Sequence, residues 1–215
     1  MKKNKIKKAL VLSALFLGPL IFYIFLSLGI YHHANLPILT KKVENVNGSV
    51  SFQNHFSVVS FLGTDIDKNK GGLFNLNEVI YKRYRKSLYF QSVLIAPKGT
   101  EVQVESLKKK LKTYTDIENW KFVFTGEDEI KSLFKSFDSP YTIKQDLSSE
   151  YVFIIDRELR LRGRKDDEDT ENGRLYGYNM NSVNDLKNKM KKDIEIIYYQ
   201  LKKSIEKEKR FKRKI

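Results

Sequence analysis

Two rhythms of apolar and polar positions divide the chain. From Ala9 to Ile30 there are 22 residues without a charge, ALVLSALFLGPLIFYIFLSLGI. At about 1.5 Å rise per residue such a helix covers the roughly 30 Å hydrocarbon layer of a bilayer. Residues 9–30 are therefore expected to cross a membrane. Lys2, Lys3, Lys5, Lys7 and Lys8 stand in front, which places residues 1–8 in the cytoplasm and the rest of the chain on the outer side. A cleaved signal peptide would carry a core of about 7 to 15 residues and a small-x-small site. Leu28-Gly29-Ile30-Tyr31 is a poor match, so an uncleaved anchor in a bacterial inner membrane is the expectation.

After a tether over 31–42 the rhythm shortens. Asn47-Gly48, between Val43–Val46 and Val50–Phe52, is a hairpin signal. Phe56–Gly63 reads as a buried strand, Leu73–Arg85 as a helix, Ser87–Ala96 as a strand and Val102–Tyr114 as an amphipathic helix with Val104, Leu107 and Leu111 inward. Trp120–Phe124 reads as a third core strand. Thr125 is a helix cap with Asp128 as its partner, before Ile130, Leu133, Phe134 and Phe137. Tyr151–Asp156 and Leu159–Arg164 read as a strand pair about Arg157-Glu158. A long helix follows from Asn181 or Ser182, carrying Val183, Leu186, Met190, Ile194, Ile197 and Leu201. The order β-α-β-α-β-α-ββ-α implies one α/β domain over 43–204, with right-handed crossovers and a mixed central sheet in three layers. A basic tail occupies 205–215.

Charge changes this picture little. The net charge of +14 lies mostly at the ends: +5 in the first eight residues and +6 from Lys202 onward. The body between is nearly neutral, unlike a nucleic-acid-binding face. Cysteine changes it a great deal. There is none among the 215 residues, so disulfides, thiolate nucleophiles and thiolate metal sites are excluded. No G-x-S-x-G, P-loop or G-x-G-x-x-G pattern is present.

Three stretches carry a resemblance. Ser92-Val-Leu-Ile-Ala-Pro-Lys-Gly-Thr100 is similar to a strand closed by a DP-x-x-D-T turn, and Glu118-Asn-Trp-Lys-Phe-Val-Phe-Thr-Gly126 to an NW-x-F-L-T-G element. Glu150-Tyr-Val-Phe-Ile-Ile-Asp-Arg-Glu-Leu-Arg-Leu-Arg-Gly163 resembles an F-x-L-I-D-x-x-G-x-I-R-G hairpin. These patterns are those of the Sco/SenC family, which the sequence therefore resembles: membrane-anchored, thioredoxin-like proteins of copper delivery and cytochrome oxidase assembly. The resemblance implies a thioredoxin-like fold over most of 43–201. It also implies a C-x-x-x-C motif after the first core strand and a copper-binding histidine before the hairpin. Here those places read Gly63–Gly72 without sulfur and Ser139–Ser149 without histidine. Copper(I) and thiol exchange need soft or thiolate ligands. No catalytic residue carries over, and no cofactor is expected.

Candidate sites follow, each weighed against a plain alternative. Asp65, Asp67, Asn69, Gly71 and Gly72 occupy the loop where the related proteins keep their active site. They could hold a hard cation, an ordinary solvated loop is the simpler account, and a protein-contact surface is the functional role the resemblance implies. Asp166–Asp169 with Glu171, Asn172 and Gly173 fails as an EF-hand, because its glycine is one position late and Tyr178 replaces the glutamate. It is expected as an exposed loop beside Arg160, Arg162 and Arg164. His32, His33 and His55 are weak metal candidates, since adjacent histidines on a tether seldom converge with a distant third. The sequence thus points to a non-enzymatic interaction or assembly factor with an envelope protein partner. A metal-binding envelope protein is the alternative.

Overall fold

The computed structural model describes residues 2–33, 35–46 and 48–212, without the side chains of 2–6, 9, 10, 27–33 and 208–212. The chain divides into Leu36–Glu195 and a second unit formed by Met1–Asn35 with Ile196–Ile215.

In Leu36–Glu195, seven strands form one sheet among the described residues: β1 Ile38–Thr40, β2 Phe56–Phe61, β3 Phe90–Pro97, β4 Trp120–Thr125, β5 Tyr151–Ile155, β6 Leu161–Arg162 and β7 Tyr178–Asn179. The order is β1-β6-β5-β2-β3-β4, with β7 on β5. β2, β3 and β4 are parallel, and β5, β6 and β1 are antiparallel additions on the other side of β2. A central strand with a parallel neighbour on one side and an antiparallel hairpin on the other is the expected thioredoxin-like arrangement. β2 and β3 are buried along their whole length, including polar Ser57, Ser60, Gln91 and Ser92, as strands covered on both faces are.

The helices are α2 Lys70–Leu76, α3 Lys82–Tyr84, α4 Glu101–Tyr114, α5 Glu127–Ser136 and α6 Lys191–Lys212, with π-helical turns at Asn77–Tyr81 and Asp185–Met190. Alternation splits the sheet into two faces. Val59, Phe61, Val93, Ile95 and Phe153 meet Ile130, Leu133 and Phe134 of α5. Phe61 packs edge-on against Phe134 at 5.1 Å, and Phe137 lies 4.8 Å from Phe153. Each buried ring contributes about 1.5–3 kcal/mol by leaving water. On the opposite face Phe90 meets Tyr81 and Tyr84, and Tyr81 tilts over Trp120 at 4.7 Å.

Several boundaries differ from the sequence reading. Ile38–Thr40, expected within a tether, joins the sheet edge. No strand forms on either side of Gly48; Asn47 lies outside the described residues. The Asn45 side chain supplies the reason. Its Oδ1 accepts from the Val46 and Phe52 amides, and its Nδ2 donates to Ser51 Oγ. The segment is thus free to drop Val43, Val46 and Phe52 into the core. The cap of α5 falls one residue later than expected, on Gly126, whose amide donates to Glu129 rather than Asp128. Val183 is exposed and is not on the inward stripe.

The acidic stretch 166–173 is tied down rather than free. Asp167 is 4% exposed. Lys189 Nζ lies 2.9 Å from Asp167 Oδ1 and 2.6 Å from Asp169 Oδ2. Deeper, Arg164 grips both oxygens of Asp193 at 2.7 and 3.0 Å, and the Tyr178 hydroxyl donates to the same carboxylate at 2.7 Å. Burial raises the Asp193 carboxyl above its ordinary range, against the opposing pull of Arg164 and Tyr178.

In the other unit, α1 runs from Lys2 to His33 and includes Pro19. Among the described residues no helix is long and apolar enough to cross a membrane. The continuous run of described side chains in α1 covers 11–26, shorter than the stretch 9–30 read from the sequence.

Replacing Asp193 by alanine removes the bidentate partner of half-buried Arg164 and strands the buried Tyr178 hydroxyl. The expected cost is about 3–5 kcal/mol of unfolding free energy in urea titration; a loss under about 1 kcal/mol would show that the network carries little.

Candidate functional site

Ligands of open α/β sheets sit beyond the carboxyl ends of the parallel strands. Here that edge is made by the residues after β2, the first turn of α4 and the segment 144–149 that leads into β5.

Leu62 continues β2 for one residue and bridges to Ser148. Gly63 then turns away at φ +74°. A Cβ on Gly63 would sit 2.6 Å from Ser148 Cβ and 2.7 Å from the Asp146 carbonyl oxygen. Glycine is needed here for conformation and for space alike. The Thr64 amide donates to the Asp146 carbonyl at 2.8 Å and the Ser149 amide to the Phe61 carbonyl at 3.1 Å. Between these bonds, Ser148 gives its hydroxyl and its amide to Asp146 Oδ1, at 2.6 and 3.1 Å. The hydroxyl donation holds the Asp146 carboxyl below its ordinary range, outweighing partial burial.

The loop is also pinned from within. Asn69 is 7% exposed and donates Nδ2 to the Leu62 carbonyl at 2.8 Å. The Ile66 side chain is buried, and its amide donates to Gln103 Oε1 at 3.3 Å. Two i,i+3 ion pairs line the rim, Asp65 with Lys68 at 3.5 Å and Asp67 with Lys70. The Lys70 ammonium pulls Asp67 below its usual range, and its proximity lowers neighbouring Lys110. Exposed pairs of this kind contribute little stability; their effect is to give the rim a fixed pattern of charge. Beside them Val102, on the first turn of α4, is 84% exposed.

The candidate loop residues therefore separate into two groups. Asp65, Asp67 and Gly71 stay on the accessible rim, whereas Asn69 and Gly72 are buried. A Cβ on Gly72 would lie 2.6 Å from Met180 Cγ and 2.8 Å from Asn181 Oδ1, so this glycine lets α2 approach the chain near residue 180. The histidines do not join them. His55 precedes β2, at the opposite end of the strand, and its Nδ1 lies 3.0 Å from the Gln53 carbonyl oxygen. The side chains of His32 and His33 lie outside the described residues. No group of three or more His, Cys, Asp or Glu is placed to hold a metal ion among the described residues.

Sequence reasoning missed Lys68, Val102, Asp146 and Ser148 as parts of this edge. Lys68 was legible as the i,i+3 partner of Asp65. Val102 breaks the inward stripe of α4, which is a usable signal. Asp146 and Ser148 come from 80 residues away and leave no local trace. Chemically, the arrangement offers a charged rim, an exposed apolar side chain and a serine whose proton is committed to a carboxylate.

Gly63→Ala forces both the backbone and the clasp to shift. It should lower unfolding free energy by about 2 kcal/mol or more. A stability within about 0.5 kcal/mol of the unaltered protein would show that the turn is not tightly held.

No family model and no curated protein matches the chain. Its structural neighbours are Sco-family and thioredoxin-like proteins. One is BsSco, described as a member of the Sco family of cytochrome c oxidase assembly proteins (14% identity, 74% of this chain and 92% of that one, TM-score 0.48). A second is an electron transfer protein, so named provisionally, from Aquifex aeolicus (18%, 71% and 96%, TM-score 0.44). A third is Arabidopsis thaliana ScoI with copper bound (19%, 68% and 89%, TM-score 0.43).

Proposed function

We propose that this chain is a membrane-anchored, non-catalytic protein of the bacterial cell envelope. It docks the edge formed by Asp65, Asp67, Lys68, Gly71 and Val102 on a protein partner, as an interaction or assembly factor. Residues 9–30 hold it in the inner membrane with the N-terminus cytoplasmic and the body outside. The observation that carries the docking reading is Val102, a branched apolar side chain 84% exposed next to a patterned rim of charge. An apolar side chain within a polar rim is the general layout of a protein-contact patch. The sequence excludes thiol chemistry at the same edge, since it holds no cysteine.

The anchor reading is supported by the uncharged run 9–30 behind five lysines. It is further supported by the exposure of Phe16, Phe22 and Phe25 on α1, a costly arrangement in water. Assembly of a respiratory oxidase is the pathway suggested by the Trp120 and Tyr151 motifs.

The test uses the full chain, expressed in cells lacking the native copy and cross-linked in intact membranes. Val102→Asp with Lys68→Glu should leave protein level and unfolding midpoint unchanged while lowering partner recovery about tenfold or more. Equal recovery, together with normal oxidase activity in the deletion strain, would overturn the reading.

A further inference from the structure

The basic C-terminal segment returns to the point where α1 ends. Gln200 Nε2 on α6 donates to Asn35 Oδ1 at 2.9 Å, two residues beyond His33, and both partners belong to the same compact unit. Helical spacing decides which residues share the face that meets Asn35. Positions i+3 and i+7 from Gln200 are Lys203 and Lys207, within about 60° of it around the axis. Both are exposed. They lie about 4.5 and 10 Å beyond the contact along the axis. Lys202 lies on an adjacent face, its ammonium 4.9 Å from the Tyr198 ring. Further along, the sequence continues with Lys209, Arg210, Lys212, Arg213 and Lys214, against Glu206 and Glu208. The Gln200–Asn35 bond therefore places the first basic residues of this segment, Lys203 and Lys207, just past the end of α1.

We propose that the α6 extension from Lys202 onward binds the anionic lipid headgroups of the leaflet from which the anchor emerges. This rests on the anchor reading above. The chemistry is simple. Lysines held near a negatively charged surface gain from its potential, and the gain decays within a Debye length, about 8 Å at physiological salt. The tether through Asn35 holds Lys203 about 4.5 Å along the axis from the contact, within a Debye length of it, and Lys207 just beyond one. Such a contact gives the protein two points of attachment to the membrane, one apolar and one electrostatic.

The absence of cysteine supplies a clean probe. Ser204→Cys, at an exposed position on α6, creates a single labelling site for a nitroxide in the full chain. The protein is reconstituted in vesicles of phosphatidylcholine alone or with 30% phosphatidylglycerol. Collision with an aqueous relaxant is expected to fall about threefold in the anionic vesicles, and to return at 0.5 M salt, where the Debye length is about 4 Å. Lys202→Glu, Lys203→Glu and Lys207→Glu together should abolish the lipid dependence. Resistance to carbonate extraction is read on the same samples. Extraction of the protein would overturn the anchor and this proposal together. Retention with equal collision rates in both lipids would overturn the tail contact alone. Protection by added RNA but not by anionic lipid would overturn it in favour of a nucleic-acid partner.

Discussion

Two backbone hydrogen bonds, from the Thr64 amide to the Asp146 carbonyl and from the Ser149 amide to the Phe61 carbonyl, clasp the end of the central strand to the segment entering its antiparallel neighbour. The clasp works because Gly63 has no side chain to hold it open and because Ser148 and Asp146 satisfy each other beside it. Loop residues 64–69 then have one course available. Ile66 turns into the core, Asn69 caps the Leu62 carbonyl, and the charged side chains are left outside. The accessible rim is what remains after the interior has taken the residues it needs. An edge fixed in this way offers a rigid shape to a partner, and ordering entropy is spent in folding rather than at docking.

A second polar element lies where β7 pairs with the start of β5. Arg164, Asp193 and Tyr178 join β6's continuation, α6 and β7 through a buried carboxylate whose oxygens are all satisfied. Buried charge of this kind is costly unless paired and hydrogen-bonded, and here it is both. The arrangement fixes where α6 begins, and α6 in turn carries the basic extension.

Much of this was legible from residues alone. The runs at Phe56, Ser87 and Trp120 announced the three strands that pair in parallel, and the stripe Val104, Leu107, Leu111 announced its helix in the right register. Those signals are strong because each depends on one element burying one face. The failures share a different cause. The hairpin at Asn47-Gly48 was overruled by Asn45, whose side chain satisfied the amides a ladder would have used. Gly71 and Gly72 read as loop glycines, yet both lie in α2, where a Cβ on Gly72 would meet Met180 while Gly71 faces open space. Asp193 stood on the inward stripe between Met190 and Ile197, a misplaced charge that in hindsight marks a buried ion pair. The site was half legible: its location came from the pattern of the motifs, while Asp146 and Ser148 reach it only through tertiary folding.

The central claim is that the sulfur-free edge is a closed, rigid surface, and residue-resolved amide hydrogen exchange on the full chain tests it most directly. The Thr64 and Ser149 amides should exchange as slowly as those of Val93 and Leu94 in the core strand β3, with Lys68 and Gly71 no more than moderately protected. Exchange at Thr64 and Ser149 at the rate of an open surface loop would contradict the account, because the edge would then be unclasped and have no fixed shape to present.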